Sequence, residues 1–236
     1  MDYNELITDI EKTPVDSEGV ANNIARLLRH AKYLESRKDT KDTSDSFAKG
    51  LLDTAPSFIR NQIERLQLHV GDDVDLIAWV ARNLLELFFT LRYMYSSQER
   101  YDEVIGEQLK DLKEIEDLLY LSGSREHDAP RDVKAFHLEM QKLWKGIEKF
   151  GVNRDELRRP NTVKHYAEGA NLMHEYNLFW HIHSKYVHPS SYLLFGRNTV
   201  VYGDDPRRFF LATAQYYAAR NLRDLYKMIE AASDSE

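Results

Sequence analysis

The sequence predicts an all-α protein, a single-domain bundle of about seven to nine helices. Three observations carry that prediction. Apolar residues recur three and four positions apart through most of the 236 residues. Ten glycines and six prolines fall well below the usual combined share of roughly 12%, which argues against a loop-rich β-sandwich. There is no cysteine, so disulfide scaffolds, thiolate zinc sites and cysteine nucleophiles are excluded.

The N-terminus, MDYNELITDIEK, is acidic and lacks the apolar run of a signal peptide, so a soluble cytoplasmic protein is expected. Ser17 is read as the cap of a helix to about Arg37, with Val20, Ile24, Leu27, Ala31 and Leu34 at helical spacing. KDTKDTSDS (38–46) is a polar linker. Residues 1–46 therefore read as N-terminal helices and linker, and 47–231 as the main bundle, the two forming one domain. Between Phe47 and Leu68 the helical pattern is interrupted at Pro56, which is expected to open a helix rather than lie inside one.

Val74 to Tyr95 is the most apolar segment. Arg82, Glu86 and Arg92 lie within it, and charges there are costly in lipid, so a buried central helix is expected and no membrane partner. An acidic helix follows from Gln98 to about Tyr120, with Val104, Ile115 and Leu118 among its inner residues. Residues 98–128 hold ten acids and four bases, six of the seven excess negative charges of the chain. Those charges are most simply a solvated face. A loop at 122–131, a helix from Asp132 to Phe150, and a long helix from about Val163 to Val187 come next. YLLFGRNTVVYG (192–203) suits a small hairpin or an ordered loop, and Asp205-Pro206 opens a last helix to about Glu230.

Two helices carry polar stripes where apolar residues are expected. At about 100° per residue, Asn177, His181, Ser184 and His188 share one narrow neutral stripe on the segment ending at Pro189. Leu178, Phe179, Trp180, Ile182 and Tyr186 occupy its other faces, so an enclosed helix is expected. On Val74–Tyr95, Arg82 and Glu86 are four apart, with Trp79 and Tyr93 in line. A buried guanidinium needs a partner, and Glu86 is within reach. The two stripes satisfy each other most simply by facing one another. Together they assemble an imidazole for proton transfer, a hydroxyl to orient it and a cation to hold an anion. The same groups equally suit a buried network that fixes helix register.

ARNLLELFFTLRYM (81–94), read as Arg-x3-Glu, with YNLFWHIHSKYVHPSS (176–191), read as Ser-x3-His-Pro-Ser, resembles an uncharacterised bacterial domain family similar to the HEPN helical bundles. The resemblance covers roughly residues 50–230. It implies a HEPN-like helical core, often dimeric, and a metal-independent RNA-cleaving toxin or defence effector, or a relative that only binds. RNA, a cognate antitoxin or defence partner, and a second copy of the chain are the partners it implies. The usual HEPN motif is Arg-x4-6-His with a polar residue after the arginine. Arg159 to His165 has that spacing, but Pro160 follows the arginine and the segment reads as a helix start. The catalytic candidates are therefore His188, Ser184, Arg82 and Glu86, with His181, Asn177 and Tyr93 as binding candidates.

No metal is expected. His181 and His183 lie about 200° apart on a helix, and His174, His181 and His188 are too far apart in rise for one ion. No phosphate-binding glycine loop, dinucleotide fingerprint or nucleophile elbow is present, and no cofactor is expected. Arg207, Arg208, Arg220 and Arg223 are offset by acids of the same helix and read as a solvated face. Two function classes stand: a metal-independent endoribonuclease, and a non-catalytic protein- or nucleotide-binding module holding a structural Arg–Glu–Ser–His network.

Overall fold

The computed structural model describes residues 2–37, 46–71, 74–125, 162–187 and 204–233, with Leu138 and Gln141 as isolated positions. Helix is the regular secondary structure throughout these residues. The protein is all-α. The expected helix at 132–150 and the hairpin or loop at 192–203 lie outside the described residues, as does His188. Among the described residues no helix is long and apolar enough to cross a membrane. The chain forms two compact units, Met1–Tyr93 with Tyr166–Glu236, and Met94–His165.

In the first unit, α1 (Tyr3–Lys12) is capped by Asp2, whose carboxylate accepts from the amides of Asn4 and Glu5 at 2.9 and 3.1 Å. α2 spans Ser17–Ser36, and its cap is Asp16 rather than the expected Ser17: the Asp16 carboxylate accepts from Gly19 N at 2.8 Å. A carboxylate also interacts better than a hydroxyl with the positive end of the helix dipole. α3 runs through Pro56 without a break, from Ser46 to His69. Ala55, Ile59, Ile63 and Leu66 are all buried on one stripe, so their packing outweighs the missing N–H of the proline. α3 packs against α2, and the last helix, Asp204–Ser233, packs against α1, α2 and α3.

α4 occupies Val74–Tyr95, as its apolar run predicts. Ile77, Ala78, Val80, Ala81, Leu84, Leu85, Phe88 and Phe89 are fully buried, which makes it the buried helix expected. The segment expected as one helix over Val163–Val187 is instead broken. α6 (Val163–Gly169) closes at a turn where Asn171 takes a φ of 57°, a conformation asparagine tolerates better than most residues. A single turn, α7 (Met173–Glu175), leads into a π-helical turn at Tyr176–Trp180, and α8 (His181–Val187) follows. The final helix is α9 (Asp204–Ser233), with Phe210, Ala214, Tyr217, Leu222 and Leu225 in the core.

The second unit contains α5, which extends over Gln98–Arg125 and so continues into the start of the predicted loop. Val104 is buried as expected, whereas Ile115, expected on the inner stripe, is exposed. Glu103 faces His165 at 3.7 Å, and Lys110 pairs loosely with Glu114 at 3.9 Å.

Candidate functional site

Arg82 and Glu86 lie one turn apart on α4, and Arg82 Nε donates to Glu86 Oε1 at 2.7 Å. The same oxygen accepts the indole N–H of Trp180 at 2.8 Å. The Arg82 guanidinium lies over the Trp180 ring, 5.2 Å from its centroid. One carboxylate oxygen thus ties α4 to the π turn. The Trp180 ring stacks on Tyr176 at 5.0 Å, and His181 meets both rings edge-on at 5.2 and 5.5 Å. The Arg82 and Glu86 side chains keep 16% and 28% of their surface, and His181 is exposed, so this group of side chains is open to water.

The expectation that the two motif helices meet is met, through Trp180 rather than through the polar stripe. The reason is the π turn. It holds one more residue per turn than an α-helix, so a count at 100° per residue loses register across it. Asn177 and His181 are exposed, with Leu178 and Ile182 beside them at 46% and 38% exposure, so this face is not enclosed. Ser184 is half-buried. Its hydroxyl is sealed from solvent with no hydrogen-bond partner among the described residues, so it bonds neither Arg82 nor Glu86. Tyr93 is buried, with its ring 5.2 Å from that of Tyr166. Trp79, the other residue placed in line, is exposed and stacks with Arg65 at 5.1 Å.

The inward histidine is His183. It is fully buried, with Nδ1 2.5 Å from Phe179 O and Nε2 3.2 Å from Thr213 Oγ1. The short contact requires Nδ1 to carry the proton and donate to the carbonyl, which leaves Nε2 as an acceptor facing the hydroxyl. Burial lowers the pKa of the imidazole to about 4; the Phe179 carbonyl opposes that shift and the nearby Arg82 charge adds to it. His183 is therefore neutral at pH 7 and shielded from any substrate.

Trp180 was legible in principle. A buried indole N–H needs an acceptor, and Glu86 had a lone pair to spare. Further along, Arg220 and Arg223 are packed rather than solvated, at 15% and 17% exposure. Arg220 lies 4.1 Å over the Phe88 ring and faces Glu175 at 3.6 Å. Arg92 grips the buried Asp224 with two bonds of 2.5 and 3.0 Å, and Arg223 reaches the same carboxylate at 2.9 Å. Among the described residues no cluster of three histidines, aspartates or glutamates could hold a metal ion.

These features make it an all-helical protein with an arginine–glutamate pair set against an aromatic π turn. The chain belongs to a family of unknown function (DUF5677), whose model matches residues 66–200. That span covers both motif segments of α4 and α8. No curated protein and no solved structure matches the chain.

Proposed function

We propose that this is a HEPN-like helical protein acting as a metal-independent endoribonuclease of a bacterial defence or toxin-type system. The supporting observation is the gathering of Arg82, Glu86 and His181 around Trp180 with access to solvent. In this reading the 2′-hydroxyl of RNA attacks the adjacent phosphorus and the 5′-oxygen leaves. His188 moves the proton, Arg82 stabilises the charge on the phosphate, and Glu86 holds the guanidinium. Ser184 lies four residues before His188 and orients it. His181, Asn177 and the exposed face of α8 contact the RNA strand. A second copy of the chain and a neutralising partner protein complete the reading.

A second reading has its own support. Glu86 Oε1 already receives two N–H donors and Arg82 is covered by an indole, so the network is satisfied with nothing bound. That suits a non-catalytic interaction module. Cleavage of a structured RNA by the purified full chain, wild type against His188→Ala, separates the two. The nuclease reading expects turnover to fall by about 10² to 10⁴-fold with little change in melting temperature. Equal cleavage by both proteins, or none by the wild type, overturns it in favour of the module.

A further inference from the structure

A cavity of about 260 Å³ lies in the first unit, remote in role from the arginine–glutamate pair. Its walls come from the end of α1, the turn leading to α2, α2 itself, α9 and the π turn. Ile10, Pro14, Val15, Phe179, Ala212 and Tyr216 make it largely apolar. Among the described lining residues four threonine, asparagine and glutamine side chains, Thr13, Asn23, Thr213 and Gln215, decide what it could hold, and three of them already donate to backbone carbonyls. Thr13 donates to Asp9 O at 2.7 Å, and Thr213 bonds the carbonyls of Phe209 and Phe210 and faces His183. Gln215 donates to Leu211 O at 2.8 Å, while its Oε1 is sealed from solvent with no hydrogen-bond partner among the described residues.

Asn23 is different. It is 4% exposed and lines the cavity, yet among the described residues its carboxamide makes no hydrogen bond. Its amide atoms are not among those sealed from solvent, so the cavity is the space they meet. A carboxamide that opens into a cavity presents a donor and an acceptor side by side, and its complement is a group that does the same. The rings of Phe179 and Tyr216 suit a flat occupant. Among the described lining residues Glu11 alone is charged, which disfavours an anion and so a nucleotide phosphate. The volume falls just under the roughly 300–1,000 Å³ of drug-sized sites, so it has room for one ring system and not for a polymer.

We propose that this cavity is a binding site for a small neutral ring compound with an amide-type donor–acceptor edge, the chemistry of a free nucleobase. The edge pairs with Asn23 and the ring lies among Ile10, Val15, Phe179 and Tyr216. The proposal is independent of the nuclease reading, because no residue of the cavity belongs to the arginine–glutamate pair.

The test is binding of adenine, benzamide and benzene to the full chain, followed by ligand-observed NMR and thermal shift. Adenine and benzamide are expected to bind at least tenfold more tightly than benzene. Asn23→Leu is expected to remove that preference while leaving benzene binding intact. Ala212→Phe, at a half-buried wall position, fills the space and is expected to abolish binding of all three; it decides the matter if Asn23→Leu does not fold. Equal binding of benzene and adenine, no binding of adenine to the wild type, or unchanged adenine binding by Ala212→Phe overturns the proposal.

Discussion

Glu86 is the residue on which the contact between α4 and the π turn depends. Its Oε1 takes both the Arg82 and the Trp180 N–H groups, but its side chain keeps 28% of its surface and can be rehydrated. Arg82→Ala is therefore expected to cost about 1–2 kcal/mol, less than the roughly 3–5 kcal/mol of breaking a fully buried pair. Trp180→Phe, which removes only the donor and part of the ring, should cost about 1 kcal/mol. Urea unfolding of the two variants measures both. His183 gives a pH dependence of definite sign. Its folded pKa of about 4 lies below the ordinary 6.5, so the unfolded chain takes up the proton first. Its contribution is complete above about pH 6.5 and is lost as the pH falls towards 4. The full loss is about 3 kcal/mol. His183→Gln should show a flatter stability curve than the wild type between those limits. Parallel curves would mean that the buried imidazole does not titrate as its surroundings dictate.

At the scale of elements, the helices that hold a continuous apolar face were legible, and those with an irregular backbone were not. Val74–Tyr95 was readable to the residue because its buried apolar stripe recurs along the whole helix and charged or polar segments flank it. Pro56 misled because local preference counts against proline inside a helix, while the buried stripe Ala55, Ile59, Ile63 is a property of the packed molecule. The candidate site was half legible. The Arg82–Glu86 pair follows from spacing alone, and the acceptor that an indole N–H needs points to Trp180 beside Glu86, whereas the inward direction of His183 depends on a π turn that no periodicity announces. The turn between α1 and α2 offers a direct check. A Cβ on Gly19 would stand 2.2 Å from the backbone oxygen of Pro14, so the chain must move to accept one. Gly19→Ala should destabilise the protein by about 1–3 kcal/mol, against the usual gain from alanine in a helix. A rise in melting temperature for that variant would show that the turn yields freely.

At the scale of the whole molecule, α9 is the element that the rest of the first unit closes upon. It packs on α1, α2 and α3, and it buries Phe210, Tyr217, Leu222 and Leu225. Polar ties hold it as well: Arg37 pairs with Glu230, Arg92 with Asp224, and Asn221 Nδ2 donates to Leu84 O at 2.8 Å. A chain ending at residue 203 loses all of these together. Losing several large core side chains at roughly 2–5 kcal/mol each exceeds the whole stability of an ordinary domain. That truncated chain should show no cooperative thermal transition. Circular dichroism on heating reads this directly, and a sharp melt would show that the remaining helices hold a core of their own.

The π turn at Tyr176–Trp180 also sets the direction in which relatives should be counted. Such turns correspond to one residue inserted into an ordinary helix. A relative lacking that residue has a regular helix there, and its downstream positions are offset by about 100° and 1.5 Å along the axis. Homologous histidines and serines would then carry the same spacing to Pro189 but a different spacing to Tyr176. Equivalence across the family is therefore established by numbering backwards from the proline, and a one-residue gap within Tyr176–Trp180 is the expected signature of an ancestral deletion or insertion.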